Sequence, residues 1–213
     1  MIEDVRWVAL VSTVTAVISA GAPLLGTPLD WQNSVSYSWS VSRRKFLVVG
    51  AILSLAGAGM CAGLLLWVIP HYHLPRLMYG IVVVAYIALM GIAWVPMDER
   101  PGEHSYFHYH FLGGGLIASL AIVAMASVVW FSTGVPYVTR VTAFLAMVFA
   151  IGWPLLFIGP AKRVFLAFES LIALTFLGTV ILLFIDLCSR RLRQHALMLR
   201  LPPSWEARFS SCP

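Results

Sequence analysis

Charge is what this sequence lacks. Of its 213 residues, 14 are Lys or Arg and nine are Asp or Glu, 11% against a hydrophobic share of 60%. A soluble domain carries about 25% charged and roughly 45–50% apolar residues. So greasy a chain is expected in a lipid bilayer, and its shortage of polar bulk excludes intrinsic disorder. The cysteines are few, Cys61, Cys188 and Cys212, and give no disulfide framework. The 16 glycines follow no period, which excludes a collagen-like chain. No Asp, Glu, Lys, Arg or His falls near the middle of a long apolar run, which disfavours a charge-coupled transporter or a voltage sensor. The six histidines lie in loops, at run ends or in the tail, so no axial pair is offered to a haem.

What is present is apolar sequence in spans of bilayer length. About 20 apolar residues cross a hydrocarbon core of roughly 30 Å. Six runs qualify: Trp7–Leu25, Phe46–Ile69, Leu77–Pro96, Phe107–Phe131, Val141–Gly159 and Val164–Leu187. The expected fold is all-α, a polytopic bundle of six transmembrane helices over residues 1–188, followed by a basic cytoplasmic tail over 189–213. Trp7, Trp67, Trp94 and Trp130 fall near run ends, where an interfacial aromatic belt belongs. The first run is diluted by Ser12, Thr13, Thr15 and Ser19. Its start, Met1–Arg6, is acidic, unlike a secretory signal, so the run is expected to be retained.

With the N-terminus inside, eight of the 14 basic residues are cytoplasmic and six are not, a narrow preference for two cytoplasmic termini in the plasma membrane. Helix packing is expected along small residues, Gly50, Ser54, Ala58 and Ala62 in the second run and Ala118, Ser119 and Ala126 in the fourth. Pro154 is expected to kink the fifth.

Polar chemistry gathers between the third and fourth runs. Asp98, Glu103, His104, His108 and His110 stand close together in an apolar background. If a helix begins near Glu103, His104 and His108 lie at i and i+4 on one face, the spacing at which two imidazoles reach a common ion, and Asp98 is placed to ligate or to orient one of them. Glu169, about two turns into the sixth run, lies toward the same face, where a carboxylate needs a partner or a wet cavity. The loop 26–45 reaches that face too, with Arg43 as its nearest cation. His71 and His73 belong to the opposite face, a full crossing away.

Three readings remain open on these residues. The first is a site at the outer face, formed by Arg43, Asp98, Glu103, His104, His108, His110 and Glu169, that binds or senses a lipid headgroup or small amphiphile. The second is a membrane-embedded hydrolase using zinc on His104, His108 and Asp98, similar to the ceramidase and adiponectin-receptor superfamily but without its second histidine cluster. The third is a non-catalytic assembly subunit. Partners are expected among membrane lipids and other membrane proteins, not nucleic acids.

The turn Val95-Pro96-Met97-Asp98, the following His104 and the stretch Gly159-Pro160-Ala161-Lys162-Arg163 resemble a bacterial six-helix membrane family known only as domain of unknown function nine-nine-eight. More distantly the architecture resembles FRAG/DRAM/Sfk-like membrane proteins. In that first family an aromatic residue precedes the proline, where this chain has Val95. The resemblance implies a cytoplasmic N-terminus and a functional outer face, and carries no reaction with it.

Overall fold

A computed structural model describes residues 7, 10, 11, 13, 14, 43–94, 115–154 and 165–198. Among them the chain is helical apart from short turns and contains no strand. Helix α1 is Arg43–Gly63, prolonged by a π-helical segment, Leu64–Val68, and a last α-turn, Ile69–His71. Then come α2 (Leu77–Trp94), α3 (Leu116–Phe131), α4 (Tyr137–Gly152) and α5 (Phe165–Met198). Trp7, Leu10, Val11, Thr13 and Val14 are helical as well, and Leu10 packs against the core.

Consecutive helices are neighbours: α1 packs on α2, α2 on α3, α3 on α4 and α4 on α5, while α5 also reaches the π segment and closes the bundle. The path is up and down, so the start of α1, the end of α2, the start of α3, the end of α4 and the start of α5 share one end, called the Trp94 end. The turns 72–76 and 132–136 share the other with Asp186, called the Asp186 end.

Close approach comes from small residues. In α4, Thr139, Ala143, Ala146 and Ala150 are buried at spacings of four and three, one face of a helix. This stripe lets α3 and α5 approach α4 from either side, and polar contacts cross there: Ser127 Oγ lies 3.1 Å from Met147 Sδ, and Thr179 Oγ1 3.1 Å from Thr142 Oγ1. In α1 the expected run holds at Gly50 and Ser54, which meet α2, and leaves the contact face at Ala58, which is exposed. Gly50 and Gly57, seven residues apart, receive Trp94 and Tyr86 of α2. Aromatic rings docking two turns apart set that spacing; a strict four-residue repeat drifts off the face.

Several boundaries move from their expected places. Arg43, Arg44 and Lys45 belong to the first turn of α1 and not to a loop. α4 begins at Tyr137, four residues before Val141, with Pro136 as its N-cap at φ −55°, ψ 145°; the fixed φ of proline suits that position. It ends as α-helix at Gly152, with Trp153 and Pro154 in a tighter 3₁₀ turn where the proline removes a donor. α5 runs on to Met198, eleven residues past the expected Leu187.

Two segments are long and apolar enough to cross a membrane, Gly50–His71 with 22 residues and Ala167–Arg190 with 24. The other apolar helices are shorter, and a 16-residue helix such as α3 covers only about 24 Å.

Candidate functional site

At the Trp94 end a small network locks α1 to α2. Trp94 Nε1 donates to Ser54 Oγ at 2.7 Å, Ser54 Oγ donates to the Gly50 carbonyl at 2.8 Å, and the Tyr86 hydroxyl donates to the Ser54 carbonyl at 3.3 Å. On the far side of the same end, Phe168 of α5 stacks edge-on against Phe149 at 5.7 Å and presses on Gly152. Glu169, the next residue, is half-buried in this first stretch of α5 and is engaged by a neighbour. The backbone of Arg43 opens α1 at this end. Asp98, Glu103, His104, His108 and His110 lie outside the described residues. Of the expected site, then, Arg43 and Glu169 occupy the end from which the 95–114 segment departs and to which it returns. Among the described residues no three His, Cys, Asp or Glu side chains gather as a metal would require.

The densest polar contacts of the described bundle are at the other end, on residues that sequence reasoning missed. α5 there carries an acid and a cation one turn apart: Arg190 Nε lies 2.8 Å from Asp186 Oδ2. The same oxygen accepts the Tyr72 hydroxyl at 2.6 Å. Arg190 Nη2 donates to the Gly134 carbonyl at 3.2 Å, and its guanidinium carbon lies 5.8 Å from the centre of the Tyr72 ring. His71 meets that ring edge-on at 4.9 Å. One carboxylate therefore joins the end of α1, the α3–α4 turn and α5. Burial, and after it the hydrogen bond to Asp186, push the Tyr72 phenol above its ordinary value. Asp186-x-x-x-Arg190 closing an apolar run was the available signal, since an acid within such a run needs a partner.

The chain reverses from α1 into α2 by a Schellman turn. The Leu74 N–H bonds the Ile69 carbonyl at 3.0 Å and the His73 N–H bonds the Pro70 carbonyl at 3.3 Å. The residue between helix and exit is His73, at φ 50°, a position that usually belongs to glycine. Ile69 and Leu74 supply the apolar contact of the motif, both buried. In the first turn of α4, Arg140 lies over the Tyr137 ring at 5.8 Å, and its buried Nε has no partner among the described residues.

The described fold is thus an all-helical bundle with two helices of membrane-crossing length and its charged contacts toward its two ends. No family model, no curated protein and no solved structure matches the chain.

Proposed function

We propose that the protein is a multi-pass integral membrane protein of the plasma membrane, a six-helix bundle with both termini cytoplasmic, that binds a lipid headgroup or small amphiphile at its outer face. The observation that carries the membrane reading is the exposure of large apolar side chains on every described helix. Leu55 and Leu66 (79% and 62% exposed), Ile87 (63%), Leu120 (60%), Val148 (44%) and Leu174 (57%) all point outward from within their helices. In water each forfeits about 1.5–3 kcal/mol of burial, whereas lipid tails solvate them at no such loss. The binding site of this reading is the 95–114 segment with Asp98, Glu103, His104, His108 and His110, joined at the Trp94 end by Arg43 and Glu169.

The topology is tested by cysteines introduced at Ser34 and Gly102 in a chain lacking its native thiols. Both are expected to react with an impermeant reagent from outside intact cells; labelling from opposite sides overturns the helix count and the site with it. The binding half is tested by the lipids that co-purify with the wild type and with the variant D98N/H104A/H108A. Selective loss of one lipid class from the variant supports the reading, and identical lipid content overturns it. Stoichiometric zinc that disappears in the variant replaces it with the metal-dependent hydrolase.

A further inference from the structure

The turn that leads from α1 into α2 forms an open cleft of about 440 Å³ between Ile69, Pro70, His73, Leu74, Arg76 and Tyr79. Its chemistry is one-sided. Among the described residues the lining holds one permanent cation, one imidazole and one phenol, and no acid. His73, Arg76 and Tyr79 are exposed, and none makes an ion pair or side-chain hydrogen bond with the described residues. A few residues away the opposite holds: Tyr72, Asp186 and Arg190 satisfy one another, so the one described carboxylate at this end is engaged elsewhere than on Arg76.

Backbone geometry gives a second, independent indication. His73 sits at φ 50° in a turn that glycine would form with less strain. Strained residues held in place by their surroundings are a feature of ligand sites. Here the strained turn sets an imidazole beside a guanidinium that has no ion-pair partner among the described residues. The cleft also sits where the apolar surface stops: it follows directly on the crossing-length segment that ends at His71. Leu77 at its rim is 73% exposed, and below it Val83, Val84 and Ile87 of α2 are exposed as well.

We propose that this cleft binds the phosphate of an anionic membrane lipid, with Arg76 as the cation, His73 and Tyr79 as hydrogen-bond partners and the acyl chains lying against Val83, Val84 and Ile87. The site is on the Asp186 end, opposite the outer-face site, and rests on the membrane reading above. Cation and donors recognise the phosphate, and the exposed apolar column below them distinguishes a lipid from free phosphate. A guanidinium–phosphate contact is charge-assisted and geometrically specific, whereas one more basic residue near a membrane gives only a diffuse attraction.

The test uses the full chain, exposed to vesicles of phosphatidylcholine alone or mixed with phosphatidylglycerol, solubilised, and weighed intact by native mass spectrometry to count retained lipids. Arg76→Gln is expected to lower phosphatidylglycerol retention about tenfold. Arg76→Lys is expected to retain part of what Arg76→Gln loses, and Arg44→Gln, at the other end of the bundle, to retain as much as the wild type. His73→Gly separates binding from folding: it is expected to melt no lower than the wild type and yet to retain about threefold less phosphatidylglycerol. Equal retention by Arg76→Gln and the wild type overturns the proposal, as does equal retention of phosphatidylcholine. Displacement of the lipid by inorganic phosphate overturns the lipid assignment in favour of a free anion. Release of the protein from membranes by alkaline carbonate overturns the membrane reading itself; an integral protein whose Arg76→Gln variant keeps its lipid overturns the cleft alone.

Discussion

A single carboxylate oxygen, Asp186 Oδ2, holds Tyr72 and Arg190 together across 114 residues of chain separating the two aromatic and acidic partners. The two contacts are unequal. Arg190 is 44% exposed and Asp186 15%, so solvent screens the ion pair, and Arg190→Ala is expected to lose less than about 1 kcal/mol. Asp186→Asn removes the charge that strengthens both bonds and is expected to lose about 2 kcal/mol, read from denaturant titrations in detergent micelles. A larger loss from Arg190→Ala than from Asp186→Asn would contradict this order. The raised Tyr72 phenol has a consequence at high pH. The folded chain keeps a proton that the unfolded chain gives up near the ordinary phenol value of about 10, so the contribution is complete below that value and falls as pH rises through and beyond it. Tyr72→Phe is expected to flatten the alkaline arm of stability against pH, and one tyrosinate fewer should appear at moderately alkaline pH in the wild type than after unfolding. None of this was legible as a pair, because tyrosine is commonplace at membrane interfaces and only the fold shows which carboxylate it meets.

Among the elements, the π segment Leu64–Val68 decides how α1 ends. It widens the helix by locally changing its register, and a void of about 30 Å³ remains beside it between Leu64, Val68, Met125, Phe176 and Leu183. Deleting Leu66, which is exposed, is expected to restore regular helix and leave the following turn facing as before, because the wide turn holds one residue more than an α-turn. Tyr72 would then keep Asp186, so the deletion should preserve the alkaline arm that Tyr72→Phe loses. A flattened alkaline arm would show that the deletion rotates Tyr72 away from Asp186. At the opposite end, a Cβ on Gly152 would stand 2.8 Å from the Phe168 ring. Gly152→Ala is therefore expected to destabilise by about 1–3 kcal/mol, with Phe168→Leu in the same chain recovering most of it; thermal melts of the single and double variants measure both. Hydropathy located α2 well, because charge and proline bound it closely. It misjudged the start of α4, where Thr139 and Arg140 interrupt the apolar run although Pro136 was a usable start signal. It also stopped α5 short, because bilayer length limits an apolar run but not a helix: Arg, Leu, Gln and Ala continue one readily.

For the molecule as a whole, the order of residues along the chain determined that it is helical and unusually apolar, and that its charges lie toward the ends of its apolar runs. The length of an apolar run and the scarcity of charge are local properties, readable without knowing what touches what. The sequence also concentrated attention on Asp98, Glu103, His104, His108 and His110, because polar residues crowded into an apolar background are visible in one dimension. Arg43 and Glu169 lie at the end of the described bundle where α2 stops before that segment and α3 begins after it. Only tertiary structure decided that Gly50 and Gly57, not Ala58, take the rings of α2, that α4 supplies the small-residue stripe, and that the Asp186 end holds both a closed network and an open basic cleft. The reason is distance along the chain. Partners such as Tyr72 and Asp186 gain their meaning from a meeting that neither sequence neighbourhood encodes, and the strain at His73 arises where two helices must turn within five residues, 72–76.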